Sequence, residues 1–135
     1  MGVGTGGAQV VSAQTAPRLH QRGWDLEGMT VEGRQIVMDV DATVTIRFDS
    51  AGQVGGLAGV NRYTGTYSLS AEGRLNWGTS GFATTRRAGP PELMEKERAY
   101  LDALRKVEVV IVSGPTLLLQ SDDASTVLSF RETGR

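Results

Sequence analysis

Residues 89–107 read GPPELMEKERAYLDALRKV, and the way this stretch folds decides how the rest of the chain can be arranged. A proline pair suits the first positions of a helix, where the missing N–H would have had no partner. Glu92 and Glu95 near the first turn and Arg105 and Lys106 in the last complement the helix dipole. Leu93, Met94, Tyr100, Leu101, Leu104 and Val107 fall on one stripe at helical spacing. The pairs Glu92/Lys96 and Asp102/Lys106 stand four residues apart on the opposite side. The pattern predicts one α-helix over about 91–106, with an apolar stripe that needs a sheet to lie on.

Working outward, the flanks read as strands. In QIVMDVDATVTIRF, residues 35–48, Ile36, Met38, Val40, Ala42, Val44, Ile46 and Phe48 keep one parity and Gln35, Asp39, Asp41, Thr43, Thr45 and Arg47 the other. A straight strand of that length would outrun a small domain, so a bend is expected near Asp39–Asp41. DSAG then turns the chain into QVGG, and TGTYSLS and GRLNWG pair as a hairpin around AEG. Beyond the helix, residues 107–130 read as three strands separated by SGP and SDDAS. Strands, one helix and more strands define an α+β fold. Its expected form is a strongly bent antiparallel sheet, or partly closed β-barrel, with the helix packed on it.

A chain of 135 residues is one domain's worth. Lys and Arg number 14 against 15 Asp and Glu, so there is no global positive field to draw the protein onto nucleic acid, and no such partner is expected. Zero cysteines exclude disulfides, thiolate metal sites and a thiol nucleophile. No apolar run reaches transmembrane length. Residues 1–22, rich in Gly, Ala, Gln and Ser/Thr, read as a flexible tail in which Val10 and Val11 are too small to anchor a core element, leaving 23–132 as the single domain. The tail lacks a secretory leader and a myristoylation pattern, although SAQTAP would suit the start of an exported protein's mature part.

The glycine-rich GLAGVNRYTGTY, residues 56–67, leads into a strand and not a helix, which argues against a phosphate cradle. Its glycines serve curvature instead, and Tyr63 and Tyr67 share a face with Gly65 between them.

GVNRYTGTY followed by ATTRRAGPPELMEKERAYLDAL resembles the META/HslJ family, from about Trp24 to Phe130. Gly59, Asn61, Tyr63, Gly65 and Tyr67 match its first motif, Thr85, Arg86 and Ala88 its second, and Glu97 with Tyr100 its helix. Val60 and Gly89 stand where many relatives carry cysteine, so whatever those thiols do elsewhere is absent here. That both are replaced together would fit two positions adjacent in space. Arg87 replaces a usually apolar residue. The resemblance implies an envelope or secreted, stress-associated bacterial protein with no common catalytic activity.

Each candidate for chemistry has a plainer reading beside it. His20 is the only histidine and falls in the tail, so neither a histidine triad nor a multi-histidine metal site can be assembled, and a solvated role is expected. Asp39 with Asp41, and Asp122 with Asp123, are too few to ligate calcium and suit turn or solvent-facing roles. No metal, cofactor or catalytic group is expected, and the protein is expected not to be an enzyme. Glu97 sits inside the apolar stripe and should be a buried latch. It should accept hydrogen bonds from the Thr84–Arg86 loop or from Asn61 and Arg62, because an unpaired buried charge is severely destabilising. Arg62, Arg86, Arg87 and Arg98 are candidate contacts for an anion or partner, against the reading that they are ordinary solvated positions. The expected function is a monomeric accessory domain that binds a protein or lipid. The alternative is a small-molecule barrel of lipocalin or avidin type, which would show a deep apolar cavity at Trp24 or Trp77.

Overall fold

The computed structural model describes residues 9–12, 15, 19–20, 22–36 and 43–133. In chain order the elements are β1 (Gln9–Val10), β2 (Gly23–Val31), β3 (Arg34–Ile36), β4 (Thr45–Phe48), β5 (Gln53–Leu57), β6 (Arg62–Leu69), β7 (Leu75–Trp77), β8 (Ala83–Thr84), α1 (Pro91–Leu104), β9 (Val109–Ser113), β10 (Thr116–Gln120) and β11 (Val127–Glu132). The sheet runs β1-β9-β10-β11-β2-β4-β5-β6-β7, all antiparallel, with β3 paired to β2 and β8 to β6. Arg74 bridges Val109, and the Leu75 amide donates to the Glu108 carbonyl at 2.7 Å. The last strand of the path thus meets β9, and the sheet is a nearly closed barrel with one helix, as the sequence predicts.

The period-two reading holds where it can be followed. Val44, Ile46 and Phe48 are buried while Thr43 and Arg47 are exposed. β3 and β4 both pair with β2, Ile36 opposite Met29 and Thr45 opposite Asp25, so the register moves by five residues between them. The bend expected near Asp39–Asp41 lies outside the described residues.

The glycine of β5 at position 56 is required by close approach. A Cβ there would lie 2.2 Å from the Thr45 carbonyl oxygen, which no side chain can occupy. That same oxygen accepts the Tyr63 hydroxyl at 2.7 Å, while the Leu57 amide turns to the Thr45 hydroxyl at 3.0 Å. Strand β5 is therefore pressed against β4 at the point where a tyrosine from β6 reaches beneath it, which is how the glycines serve curvature.

Helix α1 starts at the proline pair, and the amides of Leu93 and Met94 both donate to the Pro90 carbonyl at 3.0 Å. It ends at Leu104, two residues before the expected boundary, because Lys106 and Val107 donate three residues back, to Ala103 and Leu104, in a tightened turn. Arg105 and Lys106 consequently stand beyond the last helical turn. Asp102 pairs with Arg105 at 3.0 Å and not with Lys106, which reaches Glu32.

The reading of residues 1–22 as a tail without core contacts needs correction. β1 pairs with β9, Val11 donates its amide to Val110, and the Val11 and Leu19 side chains are 1% and 0% exposed. His20 bridges Phe48 and contacts the Tyr67 hydroxyl at 2.7 Å, so it is a half-buried, hydrogen-bonded residue of the domain and not a solvated tail residue. Val11 and Leu19 join the core cluster of the barrel, while Val10 beside Val11 stays half exposed. Two buried aliphatic side chains contribute roughly 3–5 kcal/mol of transfer free energy.

Candidate functional site

Three segments meet at Glu97. Gly59, at φ +120°, makes a turn open to glycine and strained for other residues, and the turn lines up the next two amides. Val60 and Asn61 donate those amides to Glu97 Oε1 at 3.0 and 2.7 Å, and Asn61 Nδ2 donates to Oε2 at 2.9 Å. On its other side Asn61 Oδ1 accepts the Thr85 hydroxyl at 2.8 Å and the Arg87 amide at 2.6 Å, and Nδ2 also reaches the Arg87 carbonyl at 3.2 Å. Arg62 and Thr85 exchange bonds beside it, amide to hydroxyl and amide to carbonyl, both at 3.1 Å. Glu97 is 7% exposed and Asn61 3%.

The latch thus has the expected carboxylate, with a different relay. Asn61 is a direct partner of Glu97, whereas the Thr85–Arg87 loop reaches it only through Asn61, and Arg62 does not bond it. The reason is chemical: an amide side chain offers donors to a carboxylate on one side and an acceptor on the other, so one residue joins two segments that cannot both reach the acid.

Below the latch lies a tyrosine pair. Tyr63 gives its proton to the Thr45 carbonyl, so Tyr100 is the donor in their 2.6 Å contact. Burial pushes both phenols well above their ordinary value. Tyr67 donates to the Asp49 carbonyl at 2.5 Å, which makes His20 Nε2 the donor to Tyr67, and burial together with the Asp49 charge pushes this phenol up to about 12. Gly65 lies between the two buried tyrosines of β6, at the partly buried position facing Phe82.

Arg62, Arg86, Arg87 and Arg98 are all exposed. They stand on the three tied segments: Arg62 follows Asn61, Arg86 and Arg87 follow Thr85, and Arg98 follows Glu97. The loop with Ala88 is exposed up to Gly89. The aspartates of the 121–126 turn have local roles. Asp122 pairs with Arg74 at 2.6 Å, and Asp123 accepts bonds from Ser121 and Ser125, which hold its carboxyl at about 2. Asp39 and Asp41 lie outside the described residues.

Val60 and Gly89 are neighbours across the latch. A Cβ built at Gly89 would lie 2.7 Å from one Val60 methyl and 3.4 Å from the Val60 Cβ. Valine fills the space because position 89 carries no side chain, which gives a physical reason for the two to occur together. The Cβ separation lies at the short edge of the disulfide range. The double substitution Val60→Cys/Gly89→Cys is therefore expected to oxidise in air and close a loop of about 30 residues, raising stability by about 2–3 kcal/mol. Denaturant melts with and without reductant would check this, and an unchanged midpoint would show that the positions cannot be bridged.

The interior of the barrel is occupied by side chains. Trp24, Phe48, Tyr63, Tyr100 and Phe130 are at most 1% exposed. An edge-to-face series runs from Trp77 through Phe82, Tyr63 and Tyr100 to Phe130, with centroid separations of 5.1, 5.9, 5.7 and 6.4 Å. Trp77 Nε1 donates to the Leu104 carbonyl at 2.8 Å, tying the helix end to the sheet. Both tryptophans named for a ligand cavity are thus part of the packing. No described helix is long and apolar enough to cross a membrane.

The META domain family matches residues 17–134, and the chain belongs to that family. Among solved structures, the chain is similar to the NMR structure of a protein from Burkholderia xenovorans, with 28% identity and a TM-score of 0.71 over 90% of this chain and 88% of that one. It is also similar in fold to the crystal structure of a DUF4847 family protein from Bacteroides vulgatus, with 13% identity and a TM-score of 0.65 over 89% and 98%. No curated protein gave a significant match.

Proposed function

We propose that this META domain is a non-enzymatic, stress-associated accessory module of the bacterial envelope or of secretion, which holds an anionic protein or lipid surface through the rim formed by Arg62, Arg86, Arg87 and Arg98. The observation that carries this reading is the latch. Glu97 and Asn61 invest their buried polar groups in fixing three segments, and each segment presents an exposed arginine beside its latch residue. None of these four guanidiniums forms an ion pair among the described residues. A rigid scaffold with free guanidiniums suits recognition of carboxylate or phosphate. The filled interior counts against a lipocalin-like carrier, whose ligand would need the volume that Trp24, Phe48 and Phe130 occupy.

Co-sedimentation with phosphatidylglycerol vesicles, and capture on an immobilised polyglutamate peptide, test the proposal. One of the two should be retained at low salt and released near physiological ionic strength, where exposed charges are screened beyond about 8 Å. The variant Arg86→Ala/Arg87→Ala/Arg98→Ala should lose retention while its melting temperature stays unchanged. Absence of binding to both at low salt would overturn it.

A further inference from the structure

We infer that the outer face of β4, β5 and β6 holds a second, separate site for a small organic anion, a carboxylate or phosphate on a short apolar body. The alternation that buries Phe48, Val54 and Tyr63 turns Arg47, Gly55, Leu57, Arg62 and Thr64 away from the core. Strand register then arranges them. Arg47 faces Gly55, which faces Thr64, and Leu57 faces Arg62. With strands about 4.8 Å apart, Arg47 and Thr64 stand roughly 10 Å from each other across a position that has no side chain. The result is a trough of about 490 Å³, floored by Gly55 and Gly56. That volume falls within the usual range of small-molecule sites, about 300–1,000 Å³.

Charge defines the occupant. Arg47 and Arg62 wall the trough and form no ion pair among the described residues, whereas Arg22, Arg74, Arg105 and Arg131 each hold a carboxylate. The one acid on the rim, Asp49, is turned into its own hairpin, where its Oδ1 accepts the Ala51 and Gln53 amides at 2.9 and 2.8 Å, and its single charge is outnumbered by the two guanidiniums. Two guanidiniums and the Thr64 hydroxyl supply donors for an anionic head. Leu57, the glycine backbone and the Thr64 methyl supply an apolar bed for a short body. This site lies beside the arginine rim and shares Arg62 with it, while Arg47, outside the rim, stands between Gly23 and Gly55 and also borders the neighbouring groove at Gly23 and Thr133.

Amide spectra of the labelled protein titrated with hexanoate, with inorganic phosphate and with phosphatidylglycerol vesicles test the inference. Hexanoate is expected to shift Gly55, Gly56 and Thr64 saturably, and phosphate to shift the same amides more weakly. Arg47→Ala should weaken hexanoate at least about tenfold, the scale of one charge-assisted contact. Arg47 is exposed, so the remaining spectrum should stay in place and report an intact fold. Arg105→Ala, outside both the trough and the rim, should leave the hexanoate affinity unchanged. The inference is overturned if those shifts are absent, if they do not saturate, or if Arg47→Ala binds as well as the parent. Shifts confined to residues 85–89, or vesicle binding with no response to hexanoate, would also overturn it while leaving the rim proposal standing.

Discussion

Replacing Glu97 with alanine is expected to lower the unfolding free energy by about 3–5 kcal/mol, the scale on which removal of one partner from a buried charged network is felt. Three donors lose their acceptor at once, the amides of Val60 and Asn61 and the Asn61 side chain, in a site that little water reaches. The effect should propagate, because Asn61 also holds Thr85 and Arg87. Glu97→Gln separates charge from shape. Its carbonyl oxygen can still accept two amides, but its NH₂ would face Asn61 Nδ2, donor against donor. Turning Asn61 over would in turn forfeit the Arg87 amide. Glutamine should therefore recover only part of the loss. Urea midpoints of the three proteins decide the matter, and an alanine variant as stable as the parent would remove the latch from the account of this fold.

The second large effect is alkaline. The chain has three tyrosines, Tyr63, Tyr67 and Tyr100, and all three phenols are pushed up in the folded state. An unfolded tyrosine ionises near pH 10 while the native ones keep their protons, so above that point the unfolded state binds fewer protons and stability falls as pH rises. Below pH 10 the contribution is fully present. Tyr63 and Tyr100 alone give a slope on the order of 2.7 kcal/mol per pH unit, about 1.4 for each buried phenol. Tyr67, more open to solvent, adds less. Tyrosinate absorbance is thus expected to appear together with the loss of far-UV circular dichroism, and not before it. Tyr100→Phe should halve the slope of that limb, since Tyr63 keeps its bond to the Thr45 carbonyl. A native protein in which two of the three tyrosines titrate near pH 10 would contradict the buried pair.

What could be read from the chain divides by range. The helix was legible because its stripe, its proline start and its charges all lie within 89–107, and a carboxylate inside that stripe could be recognised as buried. The relay through Asn61 was not, since it depends on which side of a turn two loops approach. Val11 and Leu19 give no periodic signal, and their burial follows from a core built mostly by strands far along the chain. The trough escaped for a related reason. Arg47, Gly55 and Thr64 become a row only when three strands are set in register, and nothing local in RFD, QVGG or YTGTY announces that alignment.

The segment around β1 bears on how such domains should be cut for expression. Family resemblance begins at residue 17, yet Gln9 and Val10 cover backbone groups of β9 that would otherwise stand bare beside Arg74. A fragment trimmed to the region of resemblance would present that stretch of Val109–Ser113 as an open margin, inviting self-association through backbone pairing. Proteins that keep the first residues should stay dispersed where shorter ones cluster.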